Sequence, residues 1–519
     1  MPGLTSSFRE LYLRLDRRVL GVARIALGAV LLYDVARRFP DAALLWSDEG
    51  VLGPAAIRRM PQATPQVSFL LALSSAAAVR WAFAGLGLVF VLYGAGLFTR
   101  VMQVLALLGY ASLNASNTFF EDGGTGCTIL LLVYTLLLPL GDRFSLDALR
   151  RDANAASVRA RVRLRAEARR PLYSLGLLLL LLQAALIYWL NAAHKTGSTW
   201  RGGDAVHLVL WQHRVNTPLA LWFSGHEPAW LSPALTWLTK RTELLLPLLL
   251  LWPTHPLVTR SLSFVLALLL HGGIALSLTL GPFSYSMICL VWATVPGGAL
   301  DWAASRVPAR YFWRLARVRA RLVRRLRGSL LAPGGRRPRA EPNAAARARL
   351  ATLREVVLGA VLVVEASNLV ASNRAFPKVL RFREPTWLLA YKPYLRGWQG
   401  WSMFAPDAPT DDGTLVVDAL TRSGRHIDPF TGLAPDFEQI RRGLAPHSIA
   451  LSDYFFAMRD KRNSRYRKQL ARYFASYRAP GSGEGLRSAE IWWVSYVPPP
   501  RGSYEPGPLQ KEKLWRLKL

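Results

Sequence analysis

The sequence predicts an all-α polytopic membrane helix bundle of about nine spans, followed by a C-terminal extracytoplasmic α+β domain. Three observations carry the prediction. Hydrophobic residues make up 51% of the 519 positions, and the mean hydropathy is +0.18. They fall in blocks such as Leu172–Leu190 and Ser261–Leu280, which approach the ~20 residues a helix needs to cross a bilayer with every backbone group satisfied internally. The net charge of +32 collects between the blocks, above all in Arg150–Arg170 and Arg306–Arg354. Basic loops held on the cytoplasmic side, near anionic headgroups, account for that charge without a nucleic-acid partner.

The first candidate span is Val19–Ala36. Arg17 and Arg18 precede its apolar run Val19–Leu32, and Tyr33-Asp34 follow that run without a small-residue cleavage site, so the span reads as retained. The next are Trp81–Phe98, Val101–Ala115, Cys127–Leu140, Leu172–Ala192, Glu243–Trp252 with its flanks, Ser261–Leu280, Phe283–Ala299 and Val356–Ala371. Val67–Ala78 reads as a further half-buried helix, Gln103 and Asn114 weaken the third span, and Pro247 interrupts the sixth. Alternation from a cytoplasmic N-terminus puts both arginine clusters inside. It puts Lys195, the loop Asn117–Gly124 and everything after Asn373 outside. The chain then divides into a transmembrane domain (1–300), a basic cytoplasmic loop (301–353), a last span (354–373) and an extracytoplasmic domain (374–519), in an inner or cytoplasmic membrane.

Leu331–Arg339, rich in glycine and proline, reads as a flexible loop, and the alanine-arginine runs around it as surface helices on anionic lipid. Past the last span, Thr414–Leu420 and Ile491–Val497 alternate like strands, with a turn at Arg422-Ser-Gly-Arg. Arg459–Arg472 reads as an amphipathic basic helix. Gly397–Pro406 carries enough tryptophan for an interfacial belt or for the wall of an apolar cofactor site. Cys127 and Cys289 are the only cysteines, which excludes a disulfide framework; no metal site is expected.

The chemistry centres on Tyr188–Gly203, where an apolar helix runs out into His194, Lys195 and Trp200. A lysine at such a helix end either snorkels to the interface or sits in a site, paired or held neutral. Glu243 is the carboxylate placed to pair with it. Three stretches converge on the same end by topology: Asn117 and Asp122 after the third span, His194-Lys195 after the fifth, and His271 with Phe283 and Tyr285 around the seventh and eighth. As a general base Lys195 needs a free amine; burial and a neighbouring cation favour one, and a carboxylate partner opposes it.

The segment Tyr188…Ala193-His-Lys195-x4-Trp200-x2-Gly203 resembles the active-site lysine segment of vitamin K-dependent gamma-glutamyl carboxylases. His271-x11-Phe283-x-Tyr285-x-Met287 resembles the same enzymes, and the wider group is the horizontally transferred transmembrane (HTTM) domain family, with many bacterial members. The likeness runs from about Arg17 to Ala299, and Trp401-Ser-Met-Phe-Ala-Pro406 resembles the tail of bacterial relatives. It implies a lyase-type reaction. Lys195 as base, helped by His271, would deprotonate a reduced vitamin K (a menaquinol-type quinone), and glutamate of an exported peptide or protein would take up carbon dioxide. Asn117, Asp122, His194, Trp200, Glu243, Phe283 and Tyr285 would form the substrate or cofactor pocket. The chain departs from the animal carboxylases in lacking a histidine in Asn117–Thr125, and in having Ile274 where they carry a polar residue.

A second reading is non-enzymatic: a membrane anchor, assembly or immunity factor whose C-terminal domain binds an exported partner. A transporter would show inverted repeats and helices broken near the midplane, and Pro247 and Gly272-Gly273 are the visible breaks.

Overall fold

The computed structural model describes residues 4–58, 67–120, 122–155, 157–327, 344–373, 377–382, 385, 399–443 and 447–519. The loop Leu331–Arg339 lies outside them, as do Glu121, Gly397 and Trp398.

Helices dominate up to residue 373. Among them are α1 (Arg17–Arg38), α2 (Ala76–Ala95), α3 (Thr99–Ala115), α4 (Gly123–Thr135), α5 (Leu175–His194), α6 (Leu231–Leu251), α7 (Pro256–Ser277), α8 (Phe283–Trp292), α9 (Gly297–Ser305), α10 (Ala309–Arg327) and α11 (Ala344–Ser372). Side chains just ahead of the apolar runs set where they begin. Asp16 accepts from the Arg18 amide at 2.7 Å, Ser75 from Ala78 at 3.2 Å and Ser174 from Gly176 at 3.2 Å. Each satisfies a donor that a helix start leaves orphaned.

Every apolar stretch singled out above contains helix, but among the described residues four helices, α1, α2, α5 and α7, are long and apolar enough to cross a membrane. The number becomes five if α8 and α9 are one broken span. That pair covers the candidate span Phe283–Ala299. The chain bends by 91° between Trp292 and Gly297, next to Pro296, whose ring cannot continue a helix. The stretch Val67–Ala78 is not a helix either: it holds one 3-10 turn, Phe69–Ala72, and α2 starts only at Ala76. Helices α2 and α7 turn large apolar side chains outward, among them Trp81, Leu88, Leu269 and Leu276. Inside, α1 and α2 touch through Gly28 and Gly94. A Cβ on Gly28 would stand 2.6 Å from the Gly94 Cα, so neither helix could approach as it does with a larger residue there.

The C-terminal part is a four-stranded antiparallel sheet of β1 (Asp412–Thr421), β2 (His426–Ile427), β3 (Leu486–Tyr496) and β4 (Gln510–Lys518), ordered β2-β1-β3-β4. Two helices, α12 (Ile449–Arg459) and α13 (Arg467–Ser476), pack on it. Alternation puts Leu415, Val417 and Ala419 on the face that meets Tyr454, Phe455 and Phe474. Val416, Val494 and Tyr496 on the other face meet Trp211 and Ile440, so the sheet is covered on both sides. The expected helix Arg459–Arg472 is broken: α12 stops at Arg459, Lys461–Tyr466 is a 3-10 segment, and α13 begins at Arg467. Asp460 causes the break, because its carboxylate takes the Arg462 amide at 2.9 Å.

Candidate functional site

Helix α5 presents Tyr188 and Asn191 one helical turn apart on a single face, and Lys195, the residue that caps its C-terminal end, reaches the same carboxylate as Asn191. Helices α6 and α7 close against that face. The Lys195 ammonium donates to both oxygens of Glu243 at 2.7 Å, and Asn191 Nδ2 donates to Oε1 of the same carboxylate at 2.7 Å. Lys195 is 2% exposed and Glu243 6%, which removes the snorkelling reading: the amine is inside, not at a surface. Its Nζ also lies 4.2 Å from the Trp200 ring centroid, a cation–π contact in a setting where water competes little. Lys240 donates to the backbone oxygen of Lys195 at 2.7 Å and fixes the end of the helix.

A turn further along α5, the Tyr188 hydroxyl sits 2.9 Å from His271 Nε2, and the imidazole meets the Phe283 ring edge-on at 5.4 Å. The two groups of polar side chains thus share one helix face. Two buried atoms in them have no hydrogen-bond partner among the described residues: Asn191 Oδ1 and His271 Nδ1. An orphaned acceptor and an imidazole nitrogen beside an ion pair is an arrangement that a ligand hydroxyl would complete.

The other expected site residues are placed differently. His194 Nδ1 is bound to the Trp401 carbonyl at 2.9 Å. Asp122 caps α4, closing a capping box with Thr125, and lies 3.7 Å from Arg37. Asn117 Oδ1 accepts the Phe119 amide at 3.1 Å, which shapes its own turn. Tyr285 packs edge-on against Tyr33 at 5.2 Å. Contact between this group and the lysine face runs through Phe283, whose backbone leaves no room for a Cβ on Gly124.

The aromatic run after residue 398 straps the loop behind Lys195. Trp200 Nε1 donates to the Phe404 carbonyl at 2.7 Å, the Gly197 amide to Pro406 at 2.9 Å, and Asp407 accepts from the Thr199 amide at 2.8 Å. Behind the strap lies a buried polar network that sequence reasoning missed. Gln399 exchanges hydrogen bonds with Gln183 (3.1 and 3.0 Å), donates to Glu365 at 2.8 Å and accepts from Trp401 Nε1 at 2.8 Å. Gln183 and Glu365 sit inside apolar runs, and such residues normally face a bundle interior; that was the available signal. Among the described residues no three His, Cys, Asp or Glu side chains group to hold a metal ion.

Outside the helix ends, His207 joins Glu227 and, through Nε2 at 2.7 Å, the Pro499 carbonyl. Burial pulls its imidazole down, but the Glu227 carboxylate outweighs that and the pKa is raised. Arg501 on Asp204 at 2.5 Å and the Tyr504 hydroxyl on the Glu227 carbonyl at 2.9 Å complete this clasp. In the sheet, burial drives Asp412 up to about 7 against the pull of Arg214, and Asp428 up to about 6. No family model, curated protein or solved structure matches the chain.

Proposed function

We propose that the chain is an integral membrane enzyme resembling the HTTM-type carboxylases, in which the Lys195–Glu243 pair handles protons for a quinol-linked carboxylation of glutamate in exported peptides. The observation that carries it is the buried face of α5, where the pair, Asn191 Oδ1 and His271 Nδ1 lie together among apolar side chains. A reduced quinone suits the chemistry of these residues: its ring would meet Phe283, and its hydroxyls would complete the two orphaned atoms. With dioxygen, the bound quinol would supply the oxidation that drives removal of the glutamate γ-proton, and carbon dioxide would take that proton's place.

The chain's own part is proton movement. Passing the Nζ proton to Glu243 across 2.7 Å turns a charged pair into two neutral groups, which a low-dielectric site tolerates well. The amine so formed takes a quinol proton, while Asn191 keeps Glu243 in place and Tyr188 holds the His271 ring. In this reading the N-terminus is cytoplasmic and about nine spans place Lys195 and the sheet domain outside. The test is incorporation of labelled carbon dioxide into glutamyl peptides by the reconstituted chain with menaquinol. Incorporation lost in Lys195→Ala and in Glu243→Gln supports the pair; activity that survives Lys195→Ala overturns it.

A second reading, a non-enzymatic anchor that binds an exported partner through its C-terminal domain, draws on one fact: Glu243 engages the amine with both oxygens, as in a structural ion pair. Partner capture that survives Lys195→Ala and fails on deletion of the sheet domain would favour it.

A further inference from the structure

We infer that a second site, a cleft of about 290 Å³ where the sheet domain meets the ends of α1 and α7, binds a small carboxylate bearing a hydroxyl or amino donor beside it. The cleft is lined by Tyr33 and Arg37, by His213, Arg214 and Asn216, and by the start of α12. Its volume is at the small end of ligand pockets, about 300–1,000 Å³.

Four polar atoms of its lining are buried and unpartnered among the described residues: His213 Nε2, Arg214 Nε, Asn216 Oδ1 and His447 Nε2. That four such atoms meet in one cleft calls for a ligand or ordered water rather than four separate defects. Their chemistry is asymmetric. His213 Nδ1 is bound to the Ile440 carbonyl at 2.9 Å and must carry the proton, so Nε2 offers a lone pair. Asn216 Nδ2 donates to Leu210 at 2.5 Å, which leaves Oδ1 as acceptor. Both residues are over nine-tenths buried. Facing these acceptors are donors. Arg214 Nε has no hydrogen-bond partner among the described residues; its guanidinium lies over the Phe456 ring, 4.3 Å from the centroid, reaches Asp453 at 3.8 Å and acts on Asp412 through charge alone. Helix α12 starts at Ile449 and Ala450, whose amides have no carbonyl of their own helix to meet, while Ser448 caps Leu451 at 3.1 Å. Arg37 is already held by Asp34 at 2.6 Å and Asp122 at 3.7 Å, so Arg214 and the helix start are the anion's seat. An oxyanion there leaves two acceptors that need a donor on the same ligand. A 2-hydroxy or 2-amino acid has both; acetate and sulfate do not. The inference is independent of any role for Lys195.

The test is calorimetric titration of the full chain in detergent with L-lactate, glycine, acetate and inorganic sulfate. Lactate or glycine is expected to bind saturably and roughly tenfold more tightly than acetate or sulfate. Arg214→Gln should weaken that binding by roughly tenfold or more, and His213→Phe should abolish the preference over acetate. The comparison of probes on the unaltered chain stands even if a variant fails to fold. Acetate or sulfate binding as well as lactate and glycine, no saturable heat with any probe, or an Arg214→Gln protein that binds unchanged would each overturn the inference.

Discussion

The Lys195 ammonium meets Glu243 symmetrically, 2.7 Å from each carboxylate oxygen, with neither side chain more than 7% exposed. Two charges removed from water together stabilise each other only as a pair, because each alone would carry its desolvation cost unanswered.

Removing one partner is therefore expected to hurt more than removing both. Lys195→Met or Glu243→Gln alone should destabilise by about 3–5 kcal/mol, and the double variant by clearly less than the sum. Chemical unfolding of the detergent-solubilised protein reads the cycle; additive losses would mean the two groups do not interact.

The clasp around His207 should loosen with rising pH. Its folded pKa is raised above the unfolded value, so the stabilisation is complete below about 6.5 and is lost as pH climbs through the folded value. Hydrogen exchange of residues 499–504 is expected to be faster at pH 8 than at pH 6, and His207→Phe should remove the difference.

The sheet carries a penalty of the same sign. Asp412 and Asp428 are driven up to about 7 and about 6 by burial, so both favour the fold when protonated, and that contribution drains away between about pH 4 and 7. Asp412→Asn should raise stability at pH 8 by on the order of 2 kcal/mol while changing little at about pH 4, as thermal unfolding at the two pH values would reveal.

Helix α10 has eight arginines and no acidic residue, and it exposes Tyr311, Phe312, Leu315, Val318 and Leu322 at helical spacing. A peptide of residues 309–327 should bind vesicles containing phosphatidylserine, with a blue shift of Trp313 fluorescence, and should leave them as salt is raised. Equal binding to neutral vesicles would show that charge is not what drives it.

The sequence by itself determined where helices and strands form, since a run of apolar residues or a period of two is a local property. Thr414–Leu420 and Ile491–Val497 were legible as strands, and Lys195 and Glu243 as partners, because an ionisable residue in an apolar run has few places to go. Local pattern also hides breaks: Phe283–Ala299 stays apolar through a 91° bend, and Arg459–Arg472 keeps its basic period across the break at Asp460. Only tertiary structure decided that His194 serves the Trp401 carbonyl and that Gln399 joins Gln183 to Glu365. It likewise brought Arg214 and the start of α12, more than two hundred residues apart in sequence, to one cleft. Contacts of that range leave no periodicity to read, because they are set by how whole helices pack rather than by what stands next to what along the chain.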